Sequence, residues 1–198
     1  IFIGLPIHTA LDMIGRERMR PGDVWITNDP FGPNGMVTHL MDVTMLRPIF
    51  RDGALIAVGW TFIHASDIGG GVPGSISPSF TEVFQEGLRI RPVRLCRDDQ
   101  VVPEIRDIFL DNTRIPGDMW GDFRAMQSAL KGMEKRLLAL CDRYGTPIVR
   151  SGMQDVLDFA EEKARAVIAA VPDGEYSFSD YVELLQPGQY ALIACTLR

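Results

Sequence analysis

The chain has little of what several function classes require. Its 198 residues include only three cysteines, Cys96, Cys141 and Cys195, widely separated and without a Cys-x-x-Cys pair. That spacing indicates neither a disulfide framework nor a thiolate zinc knuckle, and it fits a reduced, cytoplasmic compartment. Positive charge is scarce: 20 Lys and Arg stand against 26 Asp and Glu, a net charge of −6, and no basic run offsets it. Such a surface has no electrostatic footprint for nucleic acid or an anionic membrane. A Gly-x-x-x-x-Gly-Lys-Ser/Thr segment is missing, so the chain brings no phosphate loop for ATP. Long hydrophobic runs are missing too. The apolar opening stretch, residues 1–14, is interrupted by His8 and Asp12 and follows no basic segment, which reads as core rather than as a signal peptide or membrane span.

What is present describes an ordinary globular chain, 46% hydrophobic and 23% charged, long enough to bury a core. The pattern predicts an α+β fold within a single domain, 1–198. Residues 1–100 form a β-rich half with a hairpin and Gly-rich loops, 101–172 a helical half, and 173–198 the start of a further β segment. Because the chain begins at Ile1 and stops in a strand-like run, it is expected to be part of a larger chain.

Short strands are predicted at residues 23–27, 42–50 and 54–63. Asp52-Gly53 between two apolar runs signals a hairpin, and a three-residue loop Arg51-Asp52-Gly53 pairs Phe50 with Ala54. In that register Asp42 lies opposite Phe62, and Asp42 and His64 emerge on one face as diagonal neighbours. His39 has the wrong parity for that face and joins it only if the chain leaves the strand near Met41. Further on, residues 103–112 read as a helix with proline in its first turn. From Met119 a stripe of Phe123, Met126, Leu130, Met133, Leu137, Leu140 and Tyr144 marks a long helix ended by Gly145 and Pro147. A second helix opens at a Ser151/Gln154 capping box and runs to Pro172-Asp173-Gly174, the two helices packing antiparallel as scaffold.

Chemistry-bearing residues concentrate between Gly22 and Leu95. His39, Asp42 and His64 are a metal-site inventory, two imidazoles and a carboxylate; their other reading is a core histidine pair with a capping aspartate. The run Gly69-Gly70-Gly71-Val72-Pro73-Gly74 has the letters of a dinucleotide loop, but Pro73 argues against a helix opening from it. It is either a structural turn or a backbone cradle for a carbonyl or carboxylate.

Several motifs in fixed order carry a resemblance. They are Pro21-Gly22-Asp23-Val24-Trp25-Ile26-Thr27-Asn28-Asp29-Pro30, Thr38-His39 with Asp42-Val43, His64 with Asp67-Ile68-Gly69-Gly70, Pro73-Gly74-Ser75, and Glu86-Gly87-Leu88-Arg89-Ile90. In order and spacing this chain resembles the hydantoinase B/oxoprolinase family, whose members are longer. The family includes B subunits of ATP-dependent hydantoinases, a half of 5-oxoprolinase, and subunits of acetone and acetophenone carboxylases. In the acetone carboxylase branch two histidines and an aspartate hold a divalent metal, and the matching positions here are His39, Asp42 and His64. Oxoprolinase-like members tend to carry a second histidine where this chain has Ala65, which disfavours a glutathione-linked oxoprolinase.

The resemblance implies a metal-binding catalytic subunit of an ATP-dependent cyclic amidohydrolase. One divalent metal, Zn, Mn or Fe, would sit on the triad, while an A-type partner subunit in a hetero-oligomer would use ATP and Mg to activate the ring amide by phosphorylation. The alternatives are a subunit of an ATP-dependent ketone carboxylase and a non-catalytic scaffold that docks the ATP-using partner. Asp67 is a candidate for orienting a metal ligand or acting as general base, and Asp29 for positioning its loop; capping is the plainer role for each.

Overall fold

The computed structural model describes residues 7–184 and 186–198, so the first six positions of the apolar opening stretch lie outside the described residues. The chain divides after Arg143 into two compact units. The first is built on a five-stranded antiparallel sheet in the order β3-β2-β1-β4-β5, with β1 Val24–Thr27, β2 Asp42–Arg51, β3 Ala54–His64, β4 Val93–Arg97 and β5 Gln100–Val101. Helix α1 is Ile7–Ile14, α2 is Pro103–Asp111 and α3 is Pro116–Tyr144.

Side-chain alternation sorts this sheet into two cores. Ile26, Val43 and Met45 pack with Phe109 of α2 and Phe123, Met126 and Leu130 of α3. Trp25 and Leu46, one step out of phase, pack with Ala10, Leu11 and Ile14 of α1. The strand bearing Asp42 is therefore covered on both faces and buried over its first eight residues. On α3 only the N-terminal part of the stripe is covered, since Met133, Leu140 and Tyr144 are exposed.

The hairpin differs from the register expected. Its turn has two residues, Asp52 and Gly53 at φ 51° and 77°, with Arg51 opposite Ala54. A bulge then leaves Ile56 without a partner, because Phe50 faces Leu55 while Ile49 faces Ala57. The turn and the bulge each shift parity by one, so Asp42 and His64 still share a face. They are directly opposed rather than diagonal, and Asp42 does not pair with Phe62.

The second unit holds helix α4, Thr146–Ala169, and the antiparallel hairpin of β6 Tyr176–Glu183 and β7 Tyr190–Leu197. Here the expected capping box is absent. Pro147 sits in the first turn of α4, where a missing N–H costs nothing, so the helix opens ahead of Ser151 and Gln154 donates to Asp158. The stripe read as scaffold core is exposed, with Val167 and Ile168 both 71% accessible, and α4 buries none of its residues. An apolar period reveals which face seeks cover, not what covers it. No helix among the described residues is long and apolar enough to cross a membrane.

Two charged clusters fix the first unit. Arg47 of β2 has a side chain only 4% exposed; it binds Asp99 at 2.9 Å and Glu134 of α3 at 2.6 Å, tying helix to sheet. Burial opposes its charge, but the two carboxylates outweigh that and raise its pKa. Asp67 anchors the Gly-rich loop: its carboxylate accepts the N–H groups of Gly69 and Gly74 and both the backbone N–H and guanidinium of Arg114. The same guanidinium donates to the carbonyls of Gly69, Gly70 and Val72, so the chain's own arginine fills the loop, and no helix opens from it. Gly70, at φ 77°, has no room for a side chain, since a Cβ there would lie 2.3 Å from the carbonyl oxygen of Gln85.

Arg47→Ala leaves Glu134 without its cation and Asp99 with Lys131 alone, and is expected to lower the unfolding free energy by about 3 kcal/mol in a urea titration; a loss below about 1 kcal/mol would show that the cluster does not tie α3 down. For Asp67, burial opposes ionisation, yet the donors from Gly74, Arg114 and Gly69 lower its pKa from 3.8 to about 2. A depressed carboxylate pKa gives stability that is complete above the unfolded value and lost as pH falls through the folded one. The stability gap between the native protein and Asp67→Asn should therefore narrow by about 2 kcal/mol as pH falls from about 5 to about 2. A gap that stays constant across that range would contradict this account of the loop.

Candidate metal centre

Asp42 opens β2 and His64 closes β3, directly across the ladder from it. Their side chains meet, with His64 Nδ1 3.3 Å from Asp42 Oδ1. His39 lies outside the strand: the N–H of Asp42 donates to the His39 carbonyl at 3.1 Å, closing a tight turn over Leu40 and Met41. That turn corrects the parity of His39, bringing its Nε2 to 3.6 Å from Asp42 Oδ2 and its ring edge-to-face with His64 at 4.8 Å.

Two side chains hold the turn. Glu86 Oε2 accepts the Leu40 N–H at 3.0 Å, and Asn28 Nδ2 donates to the Leu40 carbonyl at 2.8 Å. Asn28 is fully buried and saturated, since it also donates to the Leu88 carbonyl and accepts the Ile90 N–H. A third residue, Thr38, donates its hydroxyl to Asp42 Oδ2 at 3.0 Å. Sequence reasoning gave none of these three a role. Asn28 and Glu86 stand inside the Asn-Asp-Pro and Glu-Gly-Leu-Arg-Ile motifs, but their bonds to Leu40 span 12 and 46 residues, which no local pattern reveals.

The triad is graded in exposure, with the Asp42 side chain 4% accessible, His39 30% and His64 51%. Two imidazoles that reach solvent are not a core pair. Their ligand atoms and a carboxylate oxygen of Asp42 all lie within 4.8 Å of one another. Donors about 2.1 Å from a tetrahedral ion stand about 3.4 Å apart, and each imidazole lies near that distance from one carboxylate oxygen of Asp42, His64 from Oδ1 and His39 from Oδ2. The second nitrogen of His39, Nδ1, is buried without a hydrogen-bond partner among the described residues. Spacing and donor chemistry fit a divalent cation with open coordination positions, and the set suits zinc, manganese and iron alike.

A cavity of about 280 Å³ adjoins the triad, with His39 and Thr38 in its wall beside Phe31, Phe80, Thr81 and Glu82. Glu86, which holds the turn, also lines it. Asp29 and Asp67 are both buried nearby in the chain but serve other contacts. Asp29 accepts the Phe31 N–H and faces Arg89 at 3.9 Å, while the bonds of Asp67 run to the Gly-rich loop, Thr113 and Arg114. Burial pushes the Cys96 thiol up to about 11, which keeps it protonated and unreactive.

The caprolactamase subunit beta of Pseudomonas jessenii is 36% identical over 169 residues, which is 84% of this chain and 28% of that subunit. The acetophenone carboxylase delta subunit of Aromatoleum aromaticum is 30% identical over 92% of this chain and 27% of its own length. The crystal structure of the ATP-dependent caprolactamase of Pseudomonas jessenii superposes with a TM-score of 0.78 at 34% identity, covering 92% of this chain and 31% of that one. The chain thus spans less than a third of the relatives it matches. The sequence model of one family, hydantoinase B/oxoprolinase, matches residues 2–198, almost the whole chain, and the chain belongs to that family.

Proposed function

We propose that this chain carries the divalent-metal centre of an ATP-dependent amidohydrolase that opens a small cyclic amide. The observation that carries the reading is the convergence of His39, Asp42 and His64, with His39 also in the wall of a cavity. A divalent cation held there supplies Lewis acidity to a carbonyl oxygen or to water. The protein's part is to hold the two imidazoles and the carboxylate at fixed spacing, with Thr38 orienting Asp42 and Asn28 and Glu86 fixing the turn under His39. Asp67 is a positioning residue for the Gly-rich loop, because a carboxyl with a pKa of about 2 and five donors is a weak base. Asp29 likewise positions the loop that carries Phe31.

ATP enters through a partner. An A-type subunit using ATP and Mg would activate the ring amide by phosphorylation, in a hetero-oligomer with the protein that contains this segment, and relatives named as subunits of a caprolactamase and a carboxylase support that reading. A relative whose name specifies a lactam, at 36% identity, supports hydrolysis of a ring amide. A second reading, a subunit of an ATP-dependent ketone carboxylase, has the 30% identity to an acetophenone carboxylase subunit in its favour.

Metal analysis of the full-length protein, paired with an ATPase assay of the reconstituted complex on lactams, hydantoins and ketones with bicarbonate, tests these readings. His39→Ala and His64→Ala are each expected to lower bound metal at least about tenfold and to abolish ring-dependent ATP use. Thr38→Val, which leaves the ligands in place, is expected to weaken metal affinity by about tenfold. Unchanged metal in both histidine variants would overturn the metal centre and leave a scaffold. ATP use that requires bicarbonate and a ketone would overturn hydrolysis in favour of carboxylation.

A further inference from the structure

The described residues form another cavity, of about 500 Å³, and none of His39, Asp42 and His64 lines it. Two backbone segments, residues 68–70 of the Gly-rich loop and residues 87–89, make much of its wall, and the Leu88 N–H joins them by donating to the Ile68 carbonyl at 3.0 Å. They approach so closely that a Cβ on Gly87, at φ 128°, would lie 2.3 Å from that carbonyl oxygen. Arg114 holds the first segment through the carbonyls of Gly69 and Gly70, and Asn28 holds the second through the Leu88 carbonyl. The wall is therefore fixed before any ligand arrives.

Charge in this cavity has one sign. Arg89 is the one ionisable residue among the described lining residues, in a chain whose net charge is −6. Its guanidinium lies 5.4 Å from the Phe31 ring centroid and 5.9 Å from that of Phe84, a position that cation–π attraction favours on both rings. Yet it donates no hydrogen bond among the described residues. Asp29, the carboxylate that faces it, stands 3.9 Å from its Nε, beyond hydrogen-bond reach, and the same oxygen already accepts the Phe31 N–H. The Arg89 side chain is 34% exposed, so its donors are held in place by two rings and open to solvent. Phe84, 73% exposed, leaves an uncovered apolar surface beside them.

We propose that this cavity binds a small organic oxyanion, a carboxylate or a phosphate monoester, with its oxygens on Arg89 and its apolar end against Phe84 and Leu88. A planar guanidinium offers parallel N–H groups that match the paired oxygens of either class. Rings that position the guanidinium in advance lower the cost of ordering it around a ligand. Asp29 offsets part of the charge, so affinity draws on hydrogen bonding and apolar contact together. The site is separate from the candidate metal centre and does not depend on the amide-opening reading.

Calorimetry on the full-length protein at low salt tests this with benzoate, phenyl phosphate and, as the uncharged comparison, benzyl alcohol. One of the anions or both are expected to bind at least about tenfold more tightly than benzyl alcohol, and the tighter one identifies the class of oxyanion preferred. Arg89→Gln is expected to abolish that advantage. Asn112 lines the cavity and is exposed, so Asn112→Lys and Asn112→Asp change the charge there without touching the core. They are expected to shift anion affinity in opposite directions, upward and downward, by about threefold each. Removing bound divalent metal is expected to leave the affinity in place. Benzyl alcohol binding as tightly as both anions, binding of none of the three, equal anion affinity in the two Asn112 variants, or binding that disappears with the metal would overturn the proposal.

Discussion

Leu40 has both of its backbone polar groups held by buried or half-buried side chains from distant segments, its N–H by Glu86 and its carbonyl by Asn28. The candidate centre depends on that grip. Without it the chain would run on as extended strand, and His39 would point to the face opposite Asp42 and His64. A buried peptide group without a partner costs about 1–3 kcal/mol, so the two side chains make the turn the favourable path rather than merely an allowed one. Asn28 extends the same grip to Leu88 and Ile90, which fixes the segment carrying Glu86 against the turn it stabilises. Ligand placement and cavity wall are therefore one hydrogen-bonded structure.

The other two candidate ligands depend on sheet register. Asp42 and His64 face one another because a two-residue turn and a one-residue bulge offset each other in parity. Removing the bulge alone would send His64 to the opposite face and dismantle the site without touching a ligand. The Gly-rich loop that follows His64 is held by the Asp67–Arg114 clamp, and Gly71 and Leu88 bond across it to Gln85 and Ile68. The loop thereby joins the first ligand-bearing hairpin to the segment that carries Glu86.

Much of this was legible in the residues and some was not. The three candidate ligands stand out because imidazole and carboxylate are rare neighbours in a chain with three histidines, and the strands around them because apolar alternation is a local property. The condition that the chain must leave the strand before Asp42 also followed from parity alone. What fixes that departure did not, because Asn28 and Glu86 act over separations that carry no periodic signal. The hairpin register is hidden for a similar reason: Asp52-Gly53 specifies a tight turn, but the compensating bulge at Ile56 leaves no mark in composition. Pro147 opens α4 as well as following α3, since proline is as acceptable in a first turn as it is after a last one. On α4 the apolar residues were identified correctly as a stripe, yet their exposure depends on what lies against them.

The central claim is that His39, Asp42 and His64 converge on one cation. Anomalous diffraction from crystals of the full-length protein grown with manganese tests it most directly. The account predicts a single strong peak about 2.0–2.2 Å from an imidazole nitrogen of each histidine and from an oxygen of Asp42. A map with no peak among the three, or with the metal held by a different set of residues, would contradict it.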